Sequence, residues 1–225
     1  RGTGTIPEHL IPGALLRYGG ATGDREVLAR HLAVAAVRAR NDFVVDAGRI
    51  GEGLLEIMVV AADGPLLVES VLTVVDACGL TVEGIDHPIM PVRRDDDGNL
   101  LLIGDDPETE VPPGAGPQID ESWISVRAYA TALCDVEQVR TDVSRAVGLL
   151  GAVTRDGEEM RATLSRLAES AIAPEDERDE YRELIGWIAG GRNFHLVGYA
   201  RGDGSPGLGV WADPQTIRLQ PLRDE

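Results

Sequence analysis

The chain lacks lysine entirely and contains few aromatic residues. Its 21 basic residues are all arginine, they are outnumbered by 38 acidic residues, and the formal net charge is −17. A nucleic-acid-binding protein needs a basic face to neutralise phosphates, so this charge argues against nucleic acid as a partner. No run approaches the roughly 20 apolar residues of a membrane span, and no secretory leader is recognisable. We therefore expect a cytoplasmic, globular protein that contacts neither nucleic acid nor membrane.

Only two cysteines are present, Cys78 and Cys134, at a predicted helix end and a predicted strand end. Their neighbours are apolar and nothing marks the chain as secreted, so two reduced thiols are favoured over a disulfide. The four histidines are far apart and show no metal-ligand spacing, and no serine or cysteine lies in a nucleophile motif. The sequence therefore predicts no catalytic, cofactor-binding or metal-binding residue.

Two patterns resemble ligand-binding motifs but lack the context that such motifs require. Residues 202–207 match G-x-G-x-x-G, yet a dinucleotide fingerprint needs a helix directly after it, whereas the following residues favour a strand. We predict a hairpin there. Residues 95–99 resemble the start of a calcium loop, but the glycine is displaced and strands flank the segment, so we predict a tight turn.

The clearest structural pattern lies between residues 54 and 103. An apolar run at 54–61 ends at Asp63-Gly64-Pro65 and is followed by a helix whose apolar residues recur at three- and four-residue spacing. Asp63 is predicted to cap this helix, and Gly79 to follow its end. Strands are then predicted at 81–92 and 100–103.

A similar half follows downstream, with a strand predicted at 123–129 and a helix at 136–150. Two helices on one face of an antiparallel sheet make an α+β, ferredoxin-like fold with extra helices. Residues 1–40 are expected to form an irregular arm followed by a helix over 24–40, and residues 41–225 one domain. Within that domain a strand beginning at Phe43 should pair with the strand at 54–61.

The C-terminal part is predicted to hold a helical insertion at about 155–190, made of two helices divided at Ala173-Pro174. Short final strands are predicted at 193–199, 208–211 and 216–219.

The turn at residues 63–67 is the best candidate for a ligand site. A glycine before a helix N-terminus leaves backbone N–H groups that can hold a carboxylate, although the same glycine equally serves a tight turn alone. The spacing does not decide between the two. The candidate ligand-binding residues are Asp63, Gly64, Pro65, Leu66 and Leu67, with Asp86 and His87 on the neighbouring strand.

Several blocks in one order resemble the N-terminal region of the large-type bacterial NAD-dependent glutamate dehydrogenases. They are an acidic turn before a helix, a strand with His-Pro followed by V-R-R-D, an E-S-W strand, and a tryptophan helix before an F-x-x-x-G-Y strand. In this sequence they are Asp63–Val71, His87-Pro88 with Val92–Asp95, Glu121–Trp123, and Trp187 with Phe194, Gly198 and Tyr199.

The resemblance implies an ACT-type regulatory domain, in which an amino-acid effector binds at the first strand-to-helix turn, often at a dimer interface. It also implies a homo-oligomer whose NAD and catalytic lysine belong to downstream domains of the same polypeptide, which deaminate glutamate oxidatively to 2-oxoglutarate. This chain has no lysine and cannot carry that chemistry. Two functions remain open: a non-catalytic regulatory and assembly domain of such an enzyme, or a free-standing ACT-type amino-acid sensor or protein-interaction module.

Overall fold

A computed structural model of the chain describes residues 10–18, 25–38, 43–170, 177–190, 194–200 and 206–212. The elements are α1 (Ile11–Tyr18), α2 (Arg25–Ala36), β1 (Phe43–Gly51), β2 (Leu54–Ala62), α3 (Leu67–Ala77), β3 (Thr81–Asp86), β4 (Ile89–Arg94), β5 (Leu100–Ile103), β6 (Ile119–Tyr129), α4 (Val136–Ser170), α5 (Arg178–Ala189), β7 (Gly198–Tyr199) and β8 (Leu208–Gly209). Strands β1 to β6 form one antiparallel sheet in the order β1-β2-β6-β4-β5, with β3 also paired to β6, and β7 pairs with β8 separately. The predicted α+β class is confirmed.

Strand β6 is the centre of the sheet. One of its edges pairs with β2 along nine residues, and its other edge is shared by β3 and β4. The prediction of one strand over 81–92 was therefore wrong, because the chain breaks at His87-Pro88. Proline has no N–H to donate to a ladder, and the carbonyl of Pro88 instead accepts a hydrogen bond from the backbone N–H of Trp123 at 3.0 Å.

The edge of β2 that faces away from β6 is covered by β1. A ferredoxin-like β-α-β-β-α-β unit closes with a strand that follows its second helix. Here the corresponding helix is α4, and no later strand within the described ranges joins the six-stranded sheet. Strand β1, which precedes the unit in sequence and pairs with β2 as predicted, supplies the additional strand.

Helix α2 covers one face of the sheet. The inner side predicted from its periodicity is buried, and the strands beneath it contribute Met58, Val60 and Trp123 to the same core. The helix ends at Ala36, four residues earlier than predicted. The buried residues of α2 that the periodicity identified are Val27, Leu28, His31, Leu32 and Ala35.

Helix α1 contacts β4 and β5, so the prediction of an irregular arm was wrong for residues 11–18. Leu10 and Ala14 are buried in the same core as α2. A Cβ added to Gly13 would lie 1.9 Å from the carbonyl oxygen of Ile103, so only glycine permits this close approach. The glycine that suggested irregular structure is therefore a packing residue. Residues 1–9 of the predicted arm lie outside the described residues.

The opposite face of the sheet carries Leu55, Ile57 and Val59 of β2, all fully buried. Alternation along the strand places them away from α2. The apolar cover comes from α3 and from the first turns of α4, and an added Cβ at Gly148 of α4 would lie 3.4 Å from the Phe43 ring. The buried helix residues are Leu67, Val71 and Val75 of α3 and Val139, Val143 and Val147 of α4.

Helix α4 is one helix of 35 residues, so the two helices predicted at 136–150 and 155–171 are wrong as separate elements. Asp135 caps it, because its Oδ1 accepts hydrogen bonds from the N–H groups of Glu137 at 3.0 Å and Gln138 at 3.2 Å. Its internal glycines cost about 1 kcal/mol each, but no proline interrupts the backbone. None of the helices in the described ranges is long and apolar enough to cross a membrane.

The chain separates into two compact units, residues 1–148 and 149–225, whereas the sequence predicted a division at residue 40. In the second unit α5 begins at Arg178. The predicted short strand pair in this unit is confirmed, because β7 and β8 pair antiparallel. The N–H of Gly209 in β8 donates to Asp156 Oδ2 at 2.7 Å. The strand predicted at 216–219 lies outside the described residues.

Glu121 of β6 is completely buried between two arginines on the α2 face. Arg94 of β4 binds it through two bonds, Nε–Oε1 at 2.7 Å and Nη2–Oε2 at 3.0 Å, and Arg38, which follows α2, binds Oε1. The indole N–H of Trp123 donates to Oε2 at 3.1 Å. Arg94 also donates to the carbonyl of Ala35 in α2, so this cluster joins α2, β4 and β6.

Replacing Glu121 with alanine should lower the free energy of unfolding by about 3–5 kcal/mol, because two buried guanidinium groups lose their carboxylate. Urea denaturation followed by circular dichroism measures this change. Glu137→Ala, which breaks an exposed pair with Arg140, should leave the urea midpoint nearly unchanged. Equal losses in the two variants would contradict the assigned role of the buried cluster.

His31 of α2 is fully buried, its ring is tilted against that of Trp123 with the ring centroids 5.7 Å apart, and it donates its Nε2–H to the carbonyl of Ile124 at 3.1 Å. Burial, assisted by the Arg30 charge and opposed by the Ile124 hydrogen bond, lowers the pKa of His31 from 6.5 to about 4. The ring is therefore neutral in the folded protein at neutral pH.

Between pH 6.5 and about 4 the unfolded chain binds a proton at His31 that the folded chain does not bind, so stability should fall by about 3 kcal/mol across this range. His31→Gln keeps a donor for Ile124 and removes the titration. Denaturation midpoints at a series of pH values should show a steeper acid loss for wild type than for this variant. Parallel pH profiles would refute the neutral buried state.

Candidate functional site

The turn between β2 and α3 begins at Asp63 and contains one residue with a left-handed backbone conformation. Leu66 is the N-cap residue of α3 and has φ 66° and ψ 6°, which makes it the only non-glycine residue with positive φ in the described ranges. The left-handed conformation in this turn therefore belongs to Leu66, and Gly64 does not have a positive φ. Leu66 is 36% exposed, so burial does not explain this conformation. Strained backbone of this kind is concentrated at functional sites.

Asp63 does not cap α3, so this prediction was wrong. Among the residues that the structure describes, no side chain caps the helix or accepts a hydrogen bond from its first-turn N–H groups. Asp63 instead makes bonds to β6: its N–H donates to the carbonyl of Asp120 at 2.9 Å, and its Oδ1 accepts from Ser122 Oγ at 2.5 Å. The N-terminus of α3 keeps its partial positive charge beside an exposed carboxylate.

Ser122 joins two of the predicted ligand residues. Its Oγ lies 2.9 Å from His87 Nε2 and 2.5 Å from Asp63 Oδ1. The single hydroxyl proton is directed to the carboxylate, so His87 must donate from Nε2–H to the serine oxygen. In the neutral ring Nδ1 is then an acceptor. The three side chains form a short polar chain, Asp63–Ser122–His87, beside the N-terminus of α3.

Asp86 lies on the other face of the sheet. In the strand pairing Asp86 lies opposite Ser125, so the two side chains share a face of the sheet. The Ser125 hydroxyl bonds Glu56, which identifies this as the α2 face, and Asp86 is buried there. Its Oδ2 accepts from Arg127 Nη1 at 3.0 Å. Arg127 also bonds Glu83 at 3.0 Å, and this bond, with the Asp86 charge, raises the pKa of Arg127. The structure thus brings Asp63 and His87 together and separates both from Asp86.

Ser122 was missed as a site residue, although it stands in the E-S-W block. Glu121 and Trp123 are buried on the α2 face, so strand alternation places Ser122 on the face of α3. The signal in the sequence was a small polar residue between two large residues, Glu121 and Trp123. Ser122 pairs with Ala61 of β2, two residues before Asp63, and this pairing brings Ser122 close to Asp63.

Residues 95–99 form the predicted tight turn. Gly98 N–H donates to the Asp95 carbonyl at 2.9 Å, and Asp95 Oδ1 accepts from the N–H groups of Asp97 and Asn99. These bonds, with the Asn99 side-chain bond as the largest influence, lower the pKa of Asp95. Its carboxylate is therefore occupied in stabilising the turn.

Comparison with known proteins agrees with this arrangement of strand, turn and helix. The sequence profile of the family described as "Glutamate dehydrogenase, ACT1 domain" matches residues 27–142, about half of the chain and all six strands of the main sheet. The chain belongs to this family. The ACT1 match includes α2, α3 and the whole Asp63–Ser122–His87 chain.

Two curated relatives of this ACT1 chain are named NAD-specific glutamate dehydrogenase. The protein from Mycobacterium tuberculosis is 29% identical over 178 residues, which cover 68% of this chain and 10% of that protein. The protein from Halomonas elongata is 27% identical over 160 residues, which cover 64% of this chain and 9% of that protein. The chain thus spans about a tenth of the length of either relative.

Leu66→Gly should leave the stability of the ACT1 domain unchanged or raise it by up to about 1 kcal/mol, because glycine has no Cβ to strain in the left-handed region. Leu66→Val should lower it by about 1–2 kcal/mol, since a β-branched residue fits that region poorly. Urea unfolding provides the measurement. Glu69→Gly, one turn later in ordinary helix, should cost about 1 kcal/mol; a similar loss in Leu66→Gly would show that Leu66 is unstrained.

Proposed function

We propose that this chain is the N-terminal, non-catalytic regulatory and assembly domain of a large NAD-dependent glutamate dehydrogenase. The family match and the two tenfold longer relatives support this, since the relatives have ample chain for separate catalytic domains. In this proposal the downstream domains of the same polypeptide bind NAD and deaminate glutamate oxidatively to 2-oxoglutarate. The chain itself has no lysine and supplies no catalytic residue.

The domain regulates by binding an amino-acid effector at the turn before α3. An amino acid carries an ammonium and a carboxylate a few ångströms apart, and the turn offers one group for each. The Asp63 carboxylate is exposed and negative, while the uncapped N-terminus of α3 presents N–H groups to an anion. The observation that carries the proposal is the Asp63–Ser122–His87 chain, which fixes the carboxylate beside that N-terminus.

Effector binding would connect this site to assembly through α3 and β6. Leu66 enters α3 in a strained conformation, so a ligand that orders the first turn changes the free energy of that helix end. Ser122 lies on the central strand, with Glu121 and Trp123 directly beside it. We expect the effector to act on a homo-oligomer, in which the same turns from two subunits lie near one another.

Calorimetric titration of the purified protein with glutamate, aspartate, leucine, arginine and phenylalanine should give saturable heat with one of them. Asp63→Asn should then weaken binding at least about tenfold, because a charge-assisted bond to the ammonium contributes about 1.5–3 kcal/mol. Gly64→Val should abolish binding by filling the backbone approach. Silence across the panel would overturn effector binding and leave assembly as the role.

Asp76→Asn is the matched control for Asp63→Asn. Asp76 is an exposed acid at the other end of α3, so its substitution removes the same charge far from the turn. The Asp76→Asn variant should bind the effector as tightly as wild type. Equal weakening in both variants would mean that net charge, and not a contact at the turn, determines binding.

A further inference from the structure

A cavity of about 440 Å³ lies at the end of α3 remote from the Asp63 turn. Its walls come from the last residues of α3, the turn after β6 and the first turns of α4. Both cysteines of the chain line it, Cys78 from α3 and Cys134 from the turn before α4. We call this space the thiol cavity.

The two thiols are free and partly accessible. Neither cysteine is buried, and both are unbridged. Burial is the largest of the causes that raise the pKa of Cys78, and the charges of Asp142 and Cys134 add to it. Cys78 and Cys134 line the same cavity, which agrees with the effect of the Cys134 charge on the Cys78 thiol.

Each cysteine is held by its own backbone bonds. Cys78 is the C-cap of α3, with its N–H bonded to the Val74 carbonyl at 2.9 Å, and Gly79 follows with φ +70° as predicted for the helix end. The carbonyl of Cys134 accepts from Arg49 Nη2 at 3.2 Å, and its N–H donates to the Thr131 carbonyl at 3.1 Å. The cavity therefore keeps two cysteines from distant parts of the sequence facing one solvent-accessible space.

We propose that Cys78 and Cys134 are a peroxide-responsive dithiol that closes reversibly to an intramolecular disulfide across the thiol cavity. The proposal does not depend on an effector at the Asp63 turn. It assigns a modification site to the two cysteines in the chain.

The chemistry proceeds in two balanced steps with hydrogen peroxide as oxidant. The Cys134 sulfur attacks one peroxide oxygen, the O–O bond breaks, and Cys134 sulfenic acid and one water form. Cys78 then attacks that sulfur, the S–O bond breaks, and the disulfide and a second water form. Together the two thiols lose two electrons and two protons. Cys78 serves as the resolving thiol because its raised pKa keeps it protonated and slow toward peroxide.

The protein is treated with hydrogen peroxide, free thiols are then blocked, and linked peptides are identified by mass spectrometry without reduction. We expect a peptide pair joining Cys78 to Cys134, a loss of two hydrogens, and full reversal by dithiothreitol. The bridge closes a loop between residues 56 apart in sequence, so the melting temperature should rise by several degrees on oxidation.

Cys78→Ser should trap sulfenic acid on Cys134, detected by dimedone labelling, and Cys134→Ser should leave Cys78 reduced under the same treatment. Circular dichroism of both variants checks that they fold. A disulfide between two molecules, seen as a covalent dimer on a non-reducing gel, would overturn the proposal. Independent oxidation of the two thiols at unchanged rates in the single variants would also overturn it.

Discussion

The buried carboxylate of Glu121 is the constraint on which the rest of the sheet depends. A fully buried charge is tolerated only when opposite charge and hydrogen bonds surround it, and here two arginines and an indole N–H do so. This requirement fixes the register of β6, because a shift by one residue would bring Glu121 to the apolar face under α3 and α4. The same register sends Ser122 to that face, where it meets Asp63 and His87.

The two faces of the sheet therefore have different characters. The α2 face combines apolar packing with charged and polar side chains of Glu56, Glu121 and Arg94, whereas β2 presents Leu55, Ile57 and Val59 to the other face. Charged pairs specify which elements meet, since a buried guanidinium must be paired with a carboxylate, and apolar packing contributes most of the stability. The Asp63–Ser122–His87 chain lies at the edge of the apolar face, where the N-terminus of α3 follows the turn that contacts polar side chains of β6.

The regular elements of the core could be predicted because their periodicity is local. The predicted strands at 54–61, 100–103 and 123–129, which correspond to β2, β5 and part of β6, follow from patterns within a few residues, as do the helix end at Gly79 and the turn at 95–99. Asp63 and His87 were predicted as ligand residues for the same reason, from a turn and a neighbouring strand. The misses involve distant partners: Gly13 is required by Ile103, and Glu121 is paired with arginines 27 and 83 residues away. The local pattern around Ser122 gives only its face of the strand, and its role appears only when β6 is paired with β2.

Strand β1 precedes the other strands in sequence, which affects the order in which the elements form during translation. Every strand of the main sheet lies between Phe43 and Tyr129, and β1 and β2 form a hairpin of low sequence separation. The nascent chain can therefore complete its sheet, with α2 already on one face, before α4 has emerged from the ribosome. Until α4 emerges, the β1–β2 half of the other face remains open to water. During that interval the growing polypeptide exposes Phe43, Val45 and Val59, which share this face of the β1–β2 hairpin.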